Sequence, residues 1–250
     1  MKKIILCDTG NFKKVSELCK KYNLGVNINI NTPECYLKFN PNEINEIIEG
    51  YKNVTIGSIY GSFKDLNFTS NDELIRKVTA KRYEYIYKIS FKFNCKNIIL
   101  PYSYDPRYIS PSLKVGAGFW TEYLKNKDKE TIFYIENIMD PTPGFINCLI
   151  DLININKENL KMCFDIGHAI KFSKLEITEW IKQVNKNIGI VNLYNISEEG
   201  GKPNALNNGI INMDEICTAL EQYCPNAIWK INTVEYEKSI KWLRENKYIK

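Results

Sequence analysis

The chain has 250 residues, 44% hydrophobic and 25% charged, which is ample for a large buried core and average for a globular protein. Its net charge of +5 is dispersed in pairs such as Lys2-Lys3, Lys13-Lys14 and Lys20-Lys21. That dispersion argues against a nucleic-acid surface, which needs localised charge.

No apolar run approaches the ~20 residues of a membrane span. Lys2-Lys3 precedes only a short apolar stretch ending at Asp8, so no secretory leader is predicted. The eight cysteines are scattered, with no C-x-x-C pair, which disfavours zinc ribbons and redox motifs. They are read as reduced thiols of a cytoplasmic protein.

Short β-branched runs alternate with helical patterns along the whole chain. Residues 3–8 read as a first strand, and 11–22 as a helix with Phe12, Val15, Leu18, Cys19 and Tyr22 on one face. Residues 26–30 form a second strand. A helix starting near Pro41 turns Ile44, Ile47 and Ile48 inward, and residues 54–59 form the third strand. A long helix over 70–93 leads to strand 98–100. Residues 101–118, rich in Tyr, Ser, Pro and Gly without period, read as an active-site loop or lid. A helix over 119–125 precedes the fifth strand, which ends at Glu136. A helix over 144–154 precedes the sixth, which ends at Asp165.

A helix over 175–184, a strand over 188–193, an irregular loop over 197–208 and a helix over 213–223 follow. Strand 227–231 and helix 234–246 close the pattern. Eight strands in strict alternation with eight principal helices, with no break in composition, predict one closed (β/α)₈ TIM barrel spanning 1–250 as a single domain. A doubly wound open sheet is the weaker alternative.

Besides the first strand, which closes on Asp8, two later strands end on acids, Thr131-Ile-Phe-Tyr-Ile-Glu136 and Lys161-Met-Cys-Phe-Asp165. His168, the chain's only histidine, lies three residues beyond Asp165. A parallel α/β fold presents polar groups at the carboxyl ends of its strands, so Glu136, Asp165 and His168 are the candidate catalytic residues. For each there is a structural alternative: a strand-end acid can cap a turn, and a lone histidine can be a hydrogen-bonded structural side chain.

Four segments carry a resemblance to a known family: Tyr60-Gly61-Ser-Phe63-Lys-Asp65-Leu66-Asn67, Ile135-Glu136-Asn137, Phe164-Asp165-Ile-Gly167-His168-Ala169 and Ser239-Ile-Lys-Trp-Leu243. Over roughly residues 50 to 246 the chain resembles the xylose isomerase-like TIM barrels, which include sugar isomerases, epimerases and endonuclease IV-type enzymes. The resemblance implies a pocket at the carboxyl ends of the strands, a small sugar-like substrate, Glu136 and Asp165 at metal-holding positions, and His168 against substrate. Tyr60 stands where that family usually has a histidine, and Pro101 takes a second histidine position. Asn192 and Asn232 fall on ligand positions, and a strand-two glutamate position falls near Asn27.

With these changes the chain is expected to hold no tightly bound zinc and at most a weak Mg²⁺ or Mn²⁺ site. Lys230 lies two residues before Asn232, so strand alternation puts both on one side. Whether that side is the barrel interior or the surface stays open. Tyr102, Tyr104, Phe119 and Trp120 either stack on a sugar-like ligand or pack the long loop. The expected substrate-binding residues are Tyr60, Tyr102, Trp120, Asn192, Lys230 and Asn232. The expected function is sugar isomerase- or epimerase-like, the alternative a catalytically silent, metal-free binding protein. An endonuclease IV-type DNA repair activity is disfavoured because a trinuclear zinc site needs several histidines.

Overall fold

The computed structural model describes residues 3–8, 10–30, 41–61, 65–101, 112–156, 158–198 and 202–249. The eight strands are β1 (Ile4–Cys7), β2 (Gly25–Ile30), β3 (Ile56–Gly61), β4 (Asn97–Pro101), β5 (Ile132–Glu136), β6 (Leu160–Asp165), β7 (Ile188–Leu193) and β8 (Ile228–Ile231). They pair in parallel in chain order, and β8 returns to β1 to close the barrel. The outer ring among the described residues is α1 (Phe12–Tyr22), α2 (Pro41–Gly50), α3 (Glu73–Lys92), α4 (Leu113–Leu124), α5 (Gly144–Asn154), α6 (Ile166–Phe172), α7 (Ile177–Val184), α8 (Met213–Tyr223) and α9 (Tyr236–Glu245).

Local chemistry starts and stops these helices. Side chains of Asn11, Asp72, Ser112 and Asn212 accept backbone N–H groups at the starts of α1, α3, α4 and α8. Asn23, left-handed at φ 52°, ends α1 and turns the chain into β2.

Because strand side chains alternate in direction, the barrel has two apolar compartments. The outer one lies between strands and helices; there Phe164 of β6 stacks on Trp180 of α7 with ring centroids 5.5 Å apart. The inner one is a small plug of Ile5, Ile99, Tyr134, Cys163, Ile190 and Ile228. Two residues further along five of those strands stand Cys7, Glu136, Asp165, Asn192 and Lys230, so the next interior layer is polar. The plug needs a missing side chain at Gly189, where a Cβ would come within 2.6 Å of the Tyr134 ring. This layering seals one end of the barrel and opens the other.

Beyond shifts of up to three residues at element ends, the structure departs from the sequence reading at three points that bear on the site. β3 begins at Ile56, because residues 51–54 form a turn with Asn53 left-handed (φ 65°) and Val54 N–H donating to the Tyr51 carbonyl at 2.9 Å. The helix expected from residue 119 starts at Leu113, and the glycines that read as loop lie inside it. At Gly116 a Cβ would sit 3.4 Å from Phe68 and 3.5 Å from Phe145, so this glycine lets α4 approach its neighbours. A short helix, α6, follows directly on β6, where no helix was expected. The remainder of the predicted lid, residues 102–111, lies outside the described residues.

No helix among the described residues is long and apolar enough to cross a membrane.

Candidate active site

β6 stops at Asp165 because the carboxylate turns back to cap the next helix: its Oδ1 accepts the His168 N–H at 2.8 Å. Asn137, just beyond β5, clamps the same strand end. Its Oδ1 accepts Asp165 N–H at 2.7 Å and its Nδ2 donates to the Asp165 carbonyl at 2.9 Å. The Tyr194 hydroxyl donates to Asp165 Oδ1 at 2.7 Å, and Asn192 Nδ2 donates to Oδ2. Three donors therefore fix one buried carboxylate.

The next turn depends on a close approach. At Gly167 a Cβ would sit 2.2 Å from the Tyr194 hydroxyl oxygen and 2.5 Å from the ring carbon that bears it. Gly167→Ala is therefore expected to displace Tyr194 from Asp165 and destabilise the protein by about 1–3 kcal/mol, the usual effect of overpacking. Chemical denaturation checks this. An alanine variant as stable as the parent would mean that the tyrosine hydrogen bond does not hold this corner.

Glu136 ends β5 with only 2% of its surface exposed. Its Oε2 accepts the Tyr60 hydroxyl at 2.7 Å, while the contact of Oε1 is the Cys163 sulfur at 4.0 Å. Burial pushes the Glu136 carboxyl above its ordinary range, with Asp165 adding to the push and Lys230, His168 and the Tyr60 hydroxyl opposing it. Burial and the Glu136 charge push the Tyr60 phenol far up, so Tyr60 keeps its proton and remains the donor.

The His168 ring places Nδ1 2.8 Å from the Asn137 carbonyl. A carbonyl can only accept, so Nδ1 carries a hydrogen and Nε2 is left for chemistry. Burial alone would lower the imidazole pKa. The charges of Asp165 and Glu136 and the Asn137 carbonyl outweigh it, and the net shift is upward.

These groups line a cavity of about 350 Å³ with two unlike walls. Glu136, Asp165 and His168 form the acidic wall over β5 and β6. Lys230 and Asn232 at the end of β8, with Cys7 of β1 and Asn29 of β2, form a wall with one cation and neutral neighbours. Tyr60, Asn192, Tyr194 and Pro203 complete the rim. A larger groove of about 810 Å³ lies outside the barrel between α3 and α4, away from the strand ends, with Ala80, Val115 and Phe119 among charged helix residues such as Glu84, Glu122 and Lys127.

Of the residues singled out by sequence, Glu136, Asp165, His168, Tyr60, Asn192, Lys230 and Asn232 meet at this cavity. Lys230 faces the barrel interior, which closes the alternative of a surface position. Trp120 is a correction. It sits fully buried on α4 within ring-contact distance of Phe68, Tyr83, Tyr123 and Phe133, because the helix that starts at Leu113 turns it onto the sheet. Phe119 belongs to the same aromatic layer, at 5.7 Å from Trp120. Tyr102 and Tyr104 lie outside the described residues.

Sequence reasoning missed Cys7, Asn29 and Pro203, and did not assign Tyr194 a role. The alternation of Asn27 and Asn29 in β2 was the available signal. Asn27 is fully buried one layer down and donates to Asn29 Oδ1 at 2.8 Å, so Asn29 is the residue that reaches the cavity.

A divalent cation is implied by the sequence resemblance, and the donor chemistry does not fit one. Asp165 already accepts three hydrogen bonds, Glu136 is held by Tyr60, and the Lys230 ammonium shares the cavity. Among the described residues no three His, Cys, Asp or Glu side chains cluster as metal ligands would.

No protein-family model and no curated protein matches this sequence. Solved structures do match it in fold. A D-tagatose 3-epimerase-like protein is 19% identical with a TM-score of 0.75, over 98% of this chain and 96% of its own. A D-psicose 3-epimerase with D-tagatose from Clostridium cellulolyticum H10 is 17% identical with a TM-score of 0.72, over 100% and 99%. A xylose isomerase domain protein from Planctomyces limnophilus is 14% identical with a TM-score of 0.69, over 99% and 95%. The likeness at these identities is one of fold, a closed (β/α)₈ barrel.

Proposed function

Starting from a barrel of the xylose isomerase-like fold, we propose that this protein is an isomerase- or epimerase-type enzyme that moves a proton next to the carbonyl of a small polyhydroxylated compound. One observation carries the reading. Glu136 Oε1, whose donor is only the weak Cys163 thiol at 4.0 Å, and His168 Nε2, which makes no hydrogen bond among the described residues, belong to two proton-exchanging side chains that line one cavity at the strand ends.

In this reading Glu136 takes the proton from the carbon beside the carbonyl. Tyr60 orients its carboxylate from the far oxygen. His168, its ring set by the Asn137 carbonyl, returns a proton or holds a substrate hydroxyl through Nε2. Asp165 acts on the site through others: it positions Tyr194, Asn192 and the first turn of α6. The structural neighbours described as sugar epimerases support a sugar-like substrate.

A second reading, a catalytically silent binding protein with the same pocket, is favoured by the saturation of the Asp165 carboxylate. An endonuclease-type activity has no support in a chain with a single histidine.

Incubation with D-tagatose, D-psicose and D-fructose in deuterated water separates the readings. NMR should show deuterium entering at the carbon beside the carbonyl, with formation of the epimer. A sugar that raises the melting temperature at saturation yet exchanges no hydrogen would favour the binding protein.

A further inference from the structure

Lys230 is the feature of the cavity that the proposed proton transfer leaves unused. It is 2% exposed, lines the cavity and sits 5.0 Å from the centroid of the Tyr60 ring. Among the described residues its ammonium forms no hydrogen bond and no ion pair. A buried ammonium is costly to desolvate, and the charges of Glu136 and Asp165 in the same cavity, with the cation–π contact, offset that cost without a direct hydrogen bond. Its register neighbour Asn192 carries the complementary defect. Asn192 Nδ2 is committed to Asp165, which fixes the amide orientation, and Asn192 Oδ1 is buried with no hydrogen-bond partner among the described residues. Side by side on β8 and β7, two cavity-lining residues thus carry an ammonium without a direct hydrogen bond and an acceptor left unused among the described residues.

The layout around them sets the polarity of a ligand. The two carboxylates stand over β5 and β6. The flank of Lys230 holds Cys7, whose thiol is kept protonated by burial, together with the neutral amides of Asn29 and Asn232. Asn29 is already spent, its Nδ2 donating to the Asp8 carbonyl at 2.8 Å and its Oδ1 accepting from Asn27. An anionic oxygen therefore finds a favourable place only on the β8 side.

We propose that Lys230 and Asn192 form a subsite for the acid end of a 2-hydroxy acid, so that the ligand of this barrel is a polyhydroxylated sugar acid. One carboxylate oxygen meets the Lys230 ammonium, and the neighbouring hydroxyl donates to Asn192 Oδ1. The rest of the ligand extends across the cavity toward Glu136 and His168. This assignment deepens the proposed function by naming the substrate class of the same cavity. It also accounts for the poor fit of a metal, since the ammonium supplies the positive charge.

Calorimetric binding of D-gluconate, of D-glucitol, which replaces the carboxylate by an alcohol, and of 2-deoxy-D-gluconate tests the assignment without requiring turnover. D-gluconate should bind about tenfold or more tighter than D-glucitol, and loss of the 2-hydroxyl should weaken it by about tenfold. In Lys230→Met, which keeps the apolar stem, the preference for gluconate should vanish. Should that variant fail to fold, the three ligands on the natural protein still decide the matter. D-glucitol or D-tagatose binding as tightly as D-gluconate would overturn the subsite, as would gluconate binding unchanged in Lys230→Met. Hydrogen exchange into neutral ketoses without any preference for acids would overturn it too, while leaving the proton-transfer reading intact. Tight gluconate binding with no exchange on any keto acid would support the subsite and favour the binding-protein reading.

Discussion

Asp165→Ala is expected to destabilise the protein by about 3–5 kcal/mol, the range seen when one member of a buried charged network is removed. The side chain is 2% exposed and accepts from Tyr194, Asn192 and the His168 backbone. Its loss leaves the Tyr194 hydroxyl and Asn192 Nδ2 buried without acceptors, at about 1–3 kcal/mol each, and α6 without its N-cap, at about 1 kcal/mol. Removing a buried charge returns some desolvation energy, which keeps the total below the sum. Asp165→Asn should cost less, since it can still accept from Tyr194 and the His168 N–H, although its new NH₂ would oppose that of Asn192. Urea denaturation with an unchanged slope checks the order. If Asp165→Ala lay within about 1 kcal/mol of the natural protein, the carboxylate would not be the keystone of this corner.

The same network shows what the sequence could and could not reveal. Glu136 and Asp165 were legible because an apolar run that stops on an acid has few explanations in a parallel barrel, and strand order then places both at one mouth. Lys230 became readable once β8 was registered, because Ile228 and Lys230 share a face and Ile228 belongs to the inner plug. Trp120 misled because glycines at 116 and 118 read as loop, whereas Gly116 is a packing glycine inside α4. Asn29 and the role of Tyr194 were hidden for a different reason. Their place depends on partners 21 to 29 residues away, Asp8 and Asp165, and no local pattern encodes such a pairing.

Glu136→Gln is expected to lower any proton-transfer rate by about 10²–10⁴-fold, the usual contribution of a positioned general base. Glutamine keeps the shape and can still accept from the Tyr60 hydroxyl, so the loss would report the proton and not the packing. Stability should move the other way. Burial holds the folded-state pKa of Glu136 above its ordinary 4.5. Below pH 4.5 the carboxyl is protonated in both folded and unfolded chains, and folding pays no charge penalty. As pH rises through the window between 4.5 and the raised folded value, the unfolded chain releases its proton first, and the natural protein loses stability. The glutamine variant lacks this decline. His168 behaves alike from a later start: its folded pKa is raised above 6.5, so its contribution is complete below pH 6.5 and fades as pH climbs through the folded value. Glu136→Gln should therefore gain on the natural protein from about pH 4.5 upward, and its histidine-linked decline above about pH 6.5 should be the smaller, since the Glu136 charge helps raise the His168 pKa. Urea titrations across that range give the difference curve directly. A curve that stays flat from about pH 4 to about pH 8 would mean that Glu136 is ionised in the folded protein as easily as in the unfolded one.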